Sequence, residues 1–253
     1  MTRQWLDPLR AALDRRTQPA AIFIRDDDCG WGNDRLRELL DTTCGCGVPI
    51  DLAVIPDAAD ITLARELRRR DDRTVRTHQH GRTHINHEAT GPKCEFGASR
   101  SADDQRNDIL AGRRQLLDLL GERLDPIFTP PWNRCTALTA RCLAVLDFEL
   151  LSRDASAERF DVEGLAELPV SLDWTGRRGA ITGPDAWGRT IAARVDAANG
   201  PVGLMLHHAV MTQDDRTMLR ELLHVLTGHS LVHFGSLRAL GRRQASRGEP
   251  WVA

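Results

Sequence analysis

Immediately after an apolar run at residues 20–24, the chain reads Arg25-Asp26-Asp27-Asp28-Cys29-Gly30. Three consecutive carboxylates repel one another, so such a cluster at a buried strand end is unfavourable without a cation. A solvated loop opening the next helix would also carry these residues, although Asp34 could already serve that purpose. Farther on, His78-Gln79-His80-Gly81-Arg82-Thr83-His84-Ile85-Asn86-His87 places four of the nine histidines within ten residues. His80 and His84 have the H-x3-H spacing of metal sites, since one helical turn would point both imidazoles the same way. His78 and His87 read as supporting or structural. A carboxylate from Asp28 with these two imidazoles would form a facial site with open positions, able to hold one divalent ion. Zn2+ suits it best, and Co2+, Fe2+, Mn2+ or Ni2+ could replace it. Such an ion acidifies a bound water and polarises a carbonyl oxygen, and a neighbouring carboxylate could take the proton.

Two later strand ends add candidates. Phe128-Thr129-Pro130-Pro131-Trp132-Asn133 is stiff, because each proline fixes its own φ and restricts the residue before it. With its indole, this segment could form a wall for a sugar or an acyl group; an ordinary strand-to-helix turn is the plainer reading. Gly203-Leu204-Met205-Leu206-His207-His208 ends another apolar run in two histidines. One could protonate a leaving group near neutral pH, and a hydrogen-bonded structural pair would look the same.

These residues need elements to hold them, and short apolar runs alternate with amphipathic stretches along the chain. Strands are expected at 20–24, 48–55, 74–79, 126–130, 148–152, 166–172, 202–207 and 231–234. Helices are expected at 33–44, after an Asp60 N-cap, and at 101–120, 136–146, 185–198 and 214–227, the last stopped by Gly228. Ser101-Ala102-Asp103-Asp104 resembles a capping box in which Asp104 replaces the usual Glu. About seven or eight β/α units without a long linker predict a parallel sheet with helices packed on it. At 253 residues, a closed or nearly closed β/α barrel fits better than an open sheet. A single catalytic domain over 1–253 is expected, with its core at about 20–240. Barrels of this kind gather their chemistry at the C-terminal ends of strands, where the polar residues above fall.

Lys and Arg number 34 against 36 Asp and Glu, a formal charge of -2. That balance gives no electrostatic reason to expect nucleic acid or an anionic membrane. The basic runs at 67–70 and 113–114 lack interleaved aromatics and read as solvated helix faces. No apolar run approaches the roughly 20 residues that span a bilayer, and the first residues carry no signal-peptide core. Six cysteines are too sparse for a disulfide framework, so a reducing, cytoplasmic setting is expected. Cys44-Gly45-Cys46 lacks the second pair that a zinc site needs and reads as a helix C-terminal turn.

The four segments, in this order, resemble the motifs of the NodB-type polysaccharide deacetylases, the carbohydrate esterase family 4 fold. The matching stretches are Arg25-Asp26-Asp27-Asp28, His80-Gly81-Arg82-Thr83-His84, Thr129-Pro130-Pro131-Trp132 and Leu204-Met205-Leu206-His207. Together with Glu95-Phe96-Gly97-Ala98-Ser99-Arg100, the variant looks like a divergent branch of polysaccharide deacetylase-like proteins. The resemblance covers residues 22–240 and implies a distorted (β/α)7-type barrel. It implies Asp28, His80 and His84 as metal ligands, Asp27 as general base and His207 as general acid, with His208 as the substitute. The implied reaction is hydrolysis of an acetamido group on a glycan or small molecule to acetate and a free amine, helped by the backbone N–H of Trp132. Pro131, Trp132, Asn133, Glu95 and Arg100 would then meet substrate.

Three departures from the family pattern carry expectations of their own. Thr129 stands where the family has an arginine paired with the base, so Arg25, or else Arg100 or Arg153, should supply that charge. Cys29 stands where a glycine usually follows the second aspartate. The long stretch 87–100 has no counterpart in simple members, and its Glu95-Phe96 element could close over the site. An amidohydrolase for a non-carbohydrate amide and a non-catalytic carbohydrate-binding relic are the competing readings, because one fold hosts many chemistries.

Overall fold

The structure, a computed structural model, describes residues 3–174 and 183–247. An N-terminal helix, α1 (Asp7–Asp14), leads into β1 (Ala20–Cys29), α2 (Asn33–Gly45), β2 (Ile50–Val54), α3 (Ile61–Arg68) and β3 (Val75–His80). Then follow α4 (Ala102–Leu120), β4 (Leu124–Thr129), α5 (Ala137–Val145), β5 (Leu150–Leu151), β6 (Ala166–Glu167) and β7 (Leu172–Asp173). The described chain ends with α6 (Pro184–Asp196), β8 (Val202–Leu206), α7 (Gln213–Thr227), β9 (Val232–Phe234) and α8 (Leu237–Arg247). The strands pair in parallel in the order β6-β5-β4-β3-β2-β1-β8-β7, and β9 pairs with the start of β1. The sheet curls into the distorted, incompletely closed (β/α)7-type barrel expected for the NodB-type fold.

Local capping chemistry sets the helix starts. Asp60 accepts from Leu63 N and Ser101 from Asp104 N, as the sequence suggests. The capping box at Ser101 differs in one respect: the Asp104 carboxylate accepts from the Ser101 hydroxyl at 2.7 Å and not from the Ser101 backbone N–H. Full capping boxes instead open α5 at Thr136 and α7 at Thr212. Helix α2 ends at Gly45 with Cys46 as its C-cap, so Cys44-Gly45-Cys46 is the turn expected.

Two elements differ from the sequence expectation in ways that shape the barrel. Strand β1 runs on through all three aspartates to Cys29, because β8 pairs with it as far as Asp26 and β2 as far as Cys29. The stretch 166–172, expected as one strand, is split between the two edges of the sheet. Pro169 lies between the halves and has no N–H to donate to a ladder. Leu168 N still donates to Leu151 O at 3.1 Å and Val170 N to Arg153 O at 2.8 Å, whereas Ser171 N donates to Gly203 O at 2.9 Å. The chain thereby steps across the gap between the edges.

Side chains from alternate faces of the strands fill separate cores. Ile22 and Ile24 of β1 pack outward with the helices, while Ala21 and Phe23 face a smaller core inside the barrel. Helix α8, which the sequence did not suggest, inserts Leu237 and Leu240 into that inner core beside Phe23, Ile127, Leu150 and Met205. Burying each such leucine contributes roughly 1.5–3 kcal/mol. Gly203 is required at the wall, since a Cβ there would lie 2.3 Å from the Phe23 ring. Among the described residues, no helix is long and apolar enough to cross a membrane.

Candidate metal and active site

The strand ends bring Asp28, His80 and His84 together, with one ligand atom from each within 4.8 Å of the others. Both imidazole Nε2 atoms face Asp28 Oδ1, at 3.3 Å for His80 and 3.1 Å for His84. His80 Nδ1 lies 3.0 Å from Thr129 O. A carbonyl can only accept, so Nδ1 carries a proton; Nε2 then donates to Asp28 when protonated and offers its lone pair to an ion when not. Burial opposes the charge of Asp28, but the hydrogen bonds from His80 and His84 outweigh it and hold the carboxyl well below the usual range. Two oriented imidazoles and a carboxylate, converging from separate elements, fit a divalent first-row ion.

His80 and His84 do not share a helical turn, contrary to the reading of their spacing. His80 ends β3, and the chain then turns through Gly81 at φ 55° to His84 at φ 60°. A Cβ on Gly81 would lie 2.2 Å from Glu95 Oε2 and 2.6 Å from the Pro131 ring, so only glycine fits. Asp28 is turned by the same device: a register irregularity between Asp26 and Cys29 coincides with its φ of 66°. Neighbouring residues of a regular strand would face opposite sides; this bend lets Asp27 and Asp28 serve one site. Among the described residues, six non-glycine positions have positive φ, and Asp28, His84, Trp132 and Asn133 are four of them. Conformations of this kind cost roughly 1–3 kcal/mol each and persist where surrounding contacts enforce them.

Arg25 lies beneath Asp27 inside the barrel and is fully buried. Its Nε donates to Asp27 Oδ1 at 2.7 Å and its Nη2 to Asp27 Oδ2 at 2.9 Å. Further bonds reach Ser152 O and Oγ and Asn133 Oδ1. Burial pushes the Asp27 carboxyl up, but Arg25, with His80 and His207, outweighs it and leaves the group below its ordinary value. Of the three arginines considered, Arg25 is the one on Asp27. Arg100 binds Asp108 at 2.6 Å, and Arg153 binds Glu167 at 2.5 Å. His78, also interior, bonds Thr129 Oγ1, and burial followed by the nearby Arg25 charge pushes it down to about 3.

The two histidines after β8 have different surroundings. His207 lies near Asp27, and its Nδ1 is 4.0 Å from Asp173 Oδ1. His208 is fully buried, with Nδ1 2.5 Å from Asp26 Oδ2 and Nε2 2.6 Å from Trp31 O. Both partners are acceptors, so both ring nitrogens carry protons and are taken up within the protein. Burial opposes that charge, but the Asp26 carboxylate raises the pKa of His208 above its ordinary value.

Of the five residues expected to meet substrate, four turn elsewhere. Asn133 is 9% exposed and spends its side chain on Arg25 and Met205. Pro131 packs on Gly81, and Arg100 ties its loop to α4 through Asp108. Glu95 is fully buried and accepts backbone N–H groups from residues 82–84, so it lies under the histidine loop and does not close over it. Phe96 beside it is buried against Phe128. Trp132 stays partly open at the site, its ring centroid 4.5 Å from that of His84 and under the Lys93 ammonium. Trp31, 42% exposed, flanks His84 from another loop at 5.0 Å. Sequence reasoning missed Trp31 and Asp173; a strand-end carboxylate directly after Leu172 was the available signal for the latter.

No protein-family model matches the chain, and no curated protein matches it in sequence. Solved structures do match its fold. A candidate polysaccharide deacetylase from Mycobacterium smegmatis superposes with a TM-score of 0.72 at 17% identity, over 94% of this chain and 95% of that one. A candidate polysaccharide deacetylase from Pseudomonas aeruginosa gives 0.69 at 14% identity, over 99% and 95%. A CE4 family pseudoenzyme from Bacillus anthracis gives 0.60 at 12% identity, over 88% and 66%. The fold is that of the NodB-type, CE4-like polysaccharide deacetylase superfamily.

Proposed function

We propose that this protein, built on the polysaccharide deacetylase fold, is a metal-dependent hydrolase that removes an N-acetyl group from a sugar or a sugar-containing metabolite. The observation that carries the reading is the convergence of Asp28, His80 and His84 on one point, with Asp27 beside them. A divalent ion held there, with Zn2+ the best match to the donors, would polarise the amide carbonyl and acidify a water.

The chain's own groups would then manage the protons. Asp27, kept ionised and oriented by Arg25, accepts a proton from the attacking water. His207, beside Asp27 and near Asp173, gives a proton to the departing nitrogen, so that the C–N bond breaks to acetate and a free amine. His208 does not suit that role, because both of its nitrogens are bonded within the protein. The indoles of Trp31 and Trp132 border the site next to His84, where flat apolar faces suit the C–H side of a sugar ring.

The test is acetate release from a panel of N-acetylamino sugars and simple N-acetyl amides, with Zn2+ or Co2+ supplied. Turnover of the sugars, lost in Asp27→Asn, supports the proposal. Turnover confined to non-carbohydrate amides would move the function to an amidohydrolase. Sugar binding without any acetate release would favour the non-catalytic relic, a state known on this fold from the Bacillus anthracis pseudoenzyme.

A further inference from the structure

Glu95 is a fully buried carboxylate for which neither a ligand role nor a proton-transfer role has been argued. Its Oε1 accepts from Thr83 N at 2.7 Å, Thr83 Oγ1 at 2.9 Å and Arg82 N at 3.2 Å. Its Oε2 accepts from Arg82 N and His84 N, both at 3.3 Å. Three successive backbone N–H groups thus point at one carboxylate. Successive N–H groups on a turned backbone form an anion-binding concavity, and here the anion is supplied by the chain itself.

The partner segment is anchored at its other end. Phe96 follows Glu95 into the core against Phe128 and bridges to Cys135. Its carbonyl accepts from Thr139 Oγ1 at the start of α5, and Gln105 Nε2 of α4 bonds Gly97 O. Glu95 therefore joins the turn carrying His84 to the frame made by α4 and α5. His84 at φ 60° is a conformation that a bulky L residue holds only when neighbours enforce it. The bonds from Glu95 to residues 82–84 are that enforcement.

We infer that Glu95 is a positioning residue that sets metal affinity by fixing the backbone of His84, and so the place of its Nε2. The inference rests on the metal-site reading above. Loss of groups that orient ligands typically costs 10–100-fold in metal affinity. In Glu95→Gln one oxygen becomes an NH2 that faces N–H donors, so the turn loses acceptors without losing volume.

The experiment is a Zn2+ titration of the metal-stripped protein against a chromophoric chelator, with thermal unfolding of each apo variant in parallel. Glu95→Gln should bind Zn2+ on the order of 10–100-fold more weakly than wild type. Glu88→Gln serves as the control, because Glu88 accepts Ser99 N in the same loop and no hydrogen bond joins its side chain to residues 81–84. It should keep wild-type affinity. Equal weakening in both variants, or none in Glu95→Gln, would overturn the inference while leaving the metal site standing. A wild-type chain with no affinity for Zn2+ would overturn the metal-site reading and this inference together. Should Glu95→Gln fail to fold, Thr83→Val removes the hydroxyl that donates to Glu95, together with its weaker acceptance from Ile85 N at 3.3 Å, and unchanged Zn2+ affinity there would count against the role.

Discussion

Arg25 grips both oxygens of Asp27 from inside the barrel, through Nε at 2.7 Å and Nη2 at 2.9 Å, and both side chains are buried. The residues are two apart on β1, and alternation places both on the inner face with Phe23. If Asp27 is the base proposed above, its partner charge comes from its own strand.

Arg25→Met should therefore damage stability and turnover together. It leaves Asp27 buried without its main opposing charge, a loss that costs roughly 3–5 kcal/mol for buried pairs. Chemical denaturation measures the first effect. The second is read from kcat, with a fall on the order of 100-fold or more expected for a misplaced general base. Full activity in Arg25→Met would remove Arg25 from the account.

His207 should govern the basic limb of the rate profile. A proton donor acts only while protonated, so the proposed role predicts a rate that falls on the basic side. His207→Ala should lose that limb and about 100- to 10,000-fold in kcat, with metal content unchanged. A basic limb that survives the substitution would assign the proton to another group.

Asp51 offers a test of pH-dependent stability away from the site. It lies in β2 with Oδ2 accepting from Leu237 N at the start of α8, while Oδ1 finds no partner among the described residues. Burial pushes its pKa up to about 8, with Asp125 adding and Leu237 N–H, Arg76 and Arg25 opposing. A carboxyl with a raised folded pKa binds its proton more tightly when folded, so its contribution falls as pH rises from about 4 to about 8 and then levels off. Asp51→Asn mimics the protonated form and removes that slope. Thermal melts should show the variant gaining on wild type across this range, and parallel curves would contradict the assignment.

The grouping of Asp28, His80 and His84 was legible in the sequence because each ends or follows a strand, and parallel strands of a barrel bring those ends together. The roles of Glu95 and Asn133 were not. Asn133 itself has positive φ, and Glu95 meets a turn built on positive φ at Gly81 and His84, which residue types alone do not reveal. Helix α8 was hidden for another reason: among its described side chains, Leu237 and Leu240 are the core anchors, too few to make a periodic pattern. The split of 166–172 carried a readable sign in Pro169, but choosing which edge each half joins depends on the curl of the whole sheet.

The central claim is that Asp28, His80 and His84 hold a metal ion. Elemental analysis of wild type, Asp28→Ala and His80→Ala after identical purification tests it most directly. About one zinc or other first-row metal per wild-type chain, and far less in both variants, is the predicted result. A wild-type chain that is empty and takes up no added Zn2+ or Co2+ would contradict it.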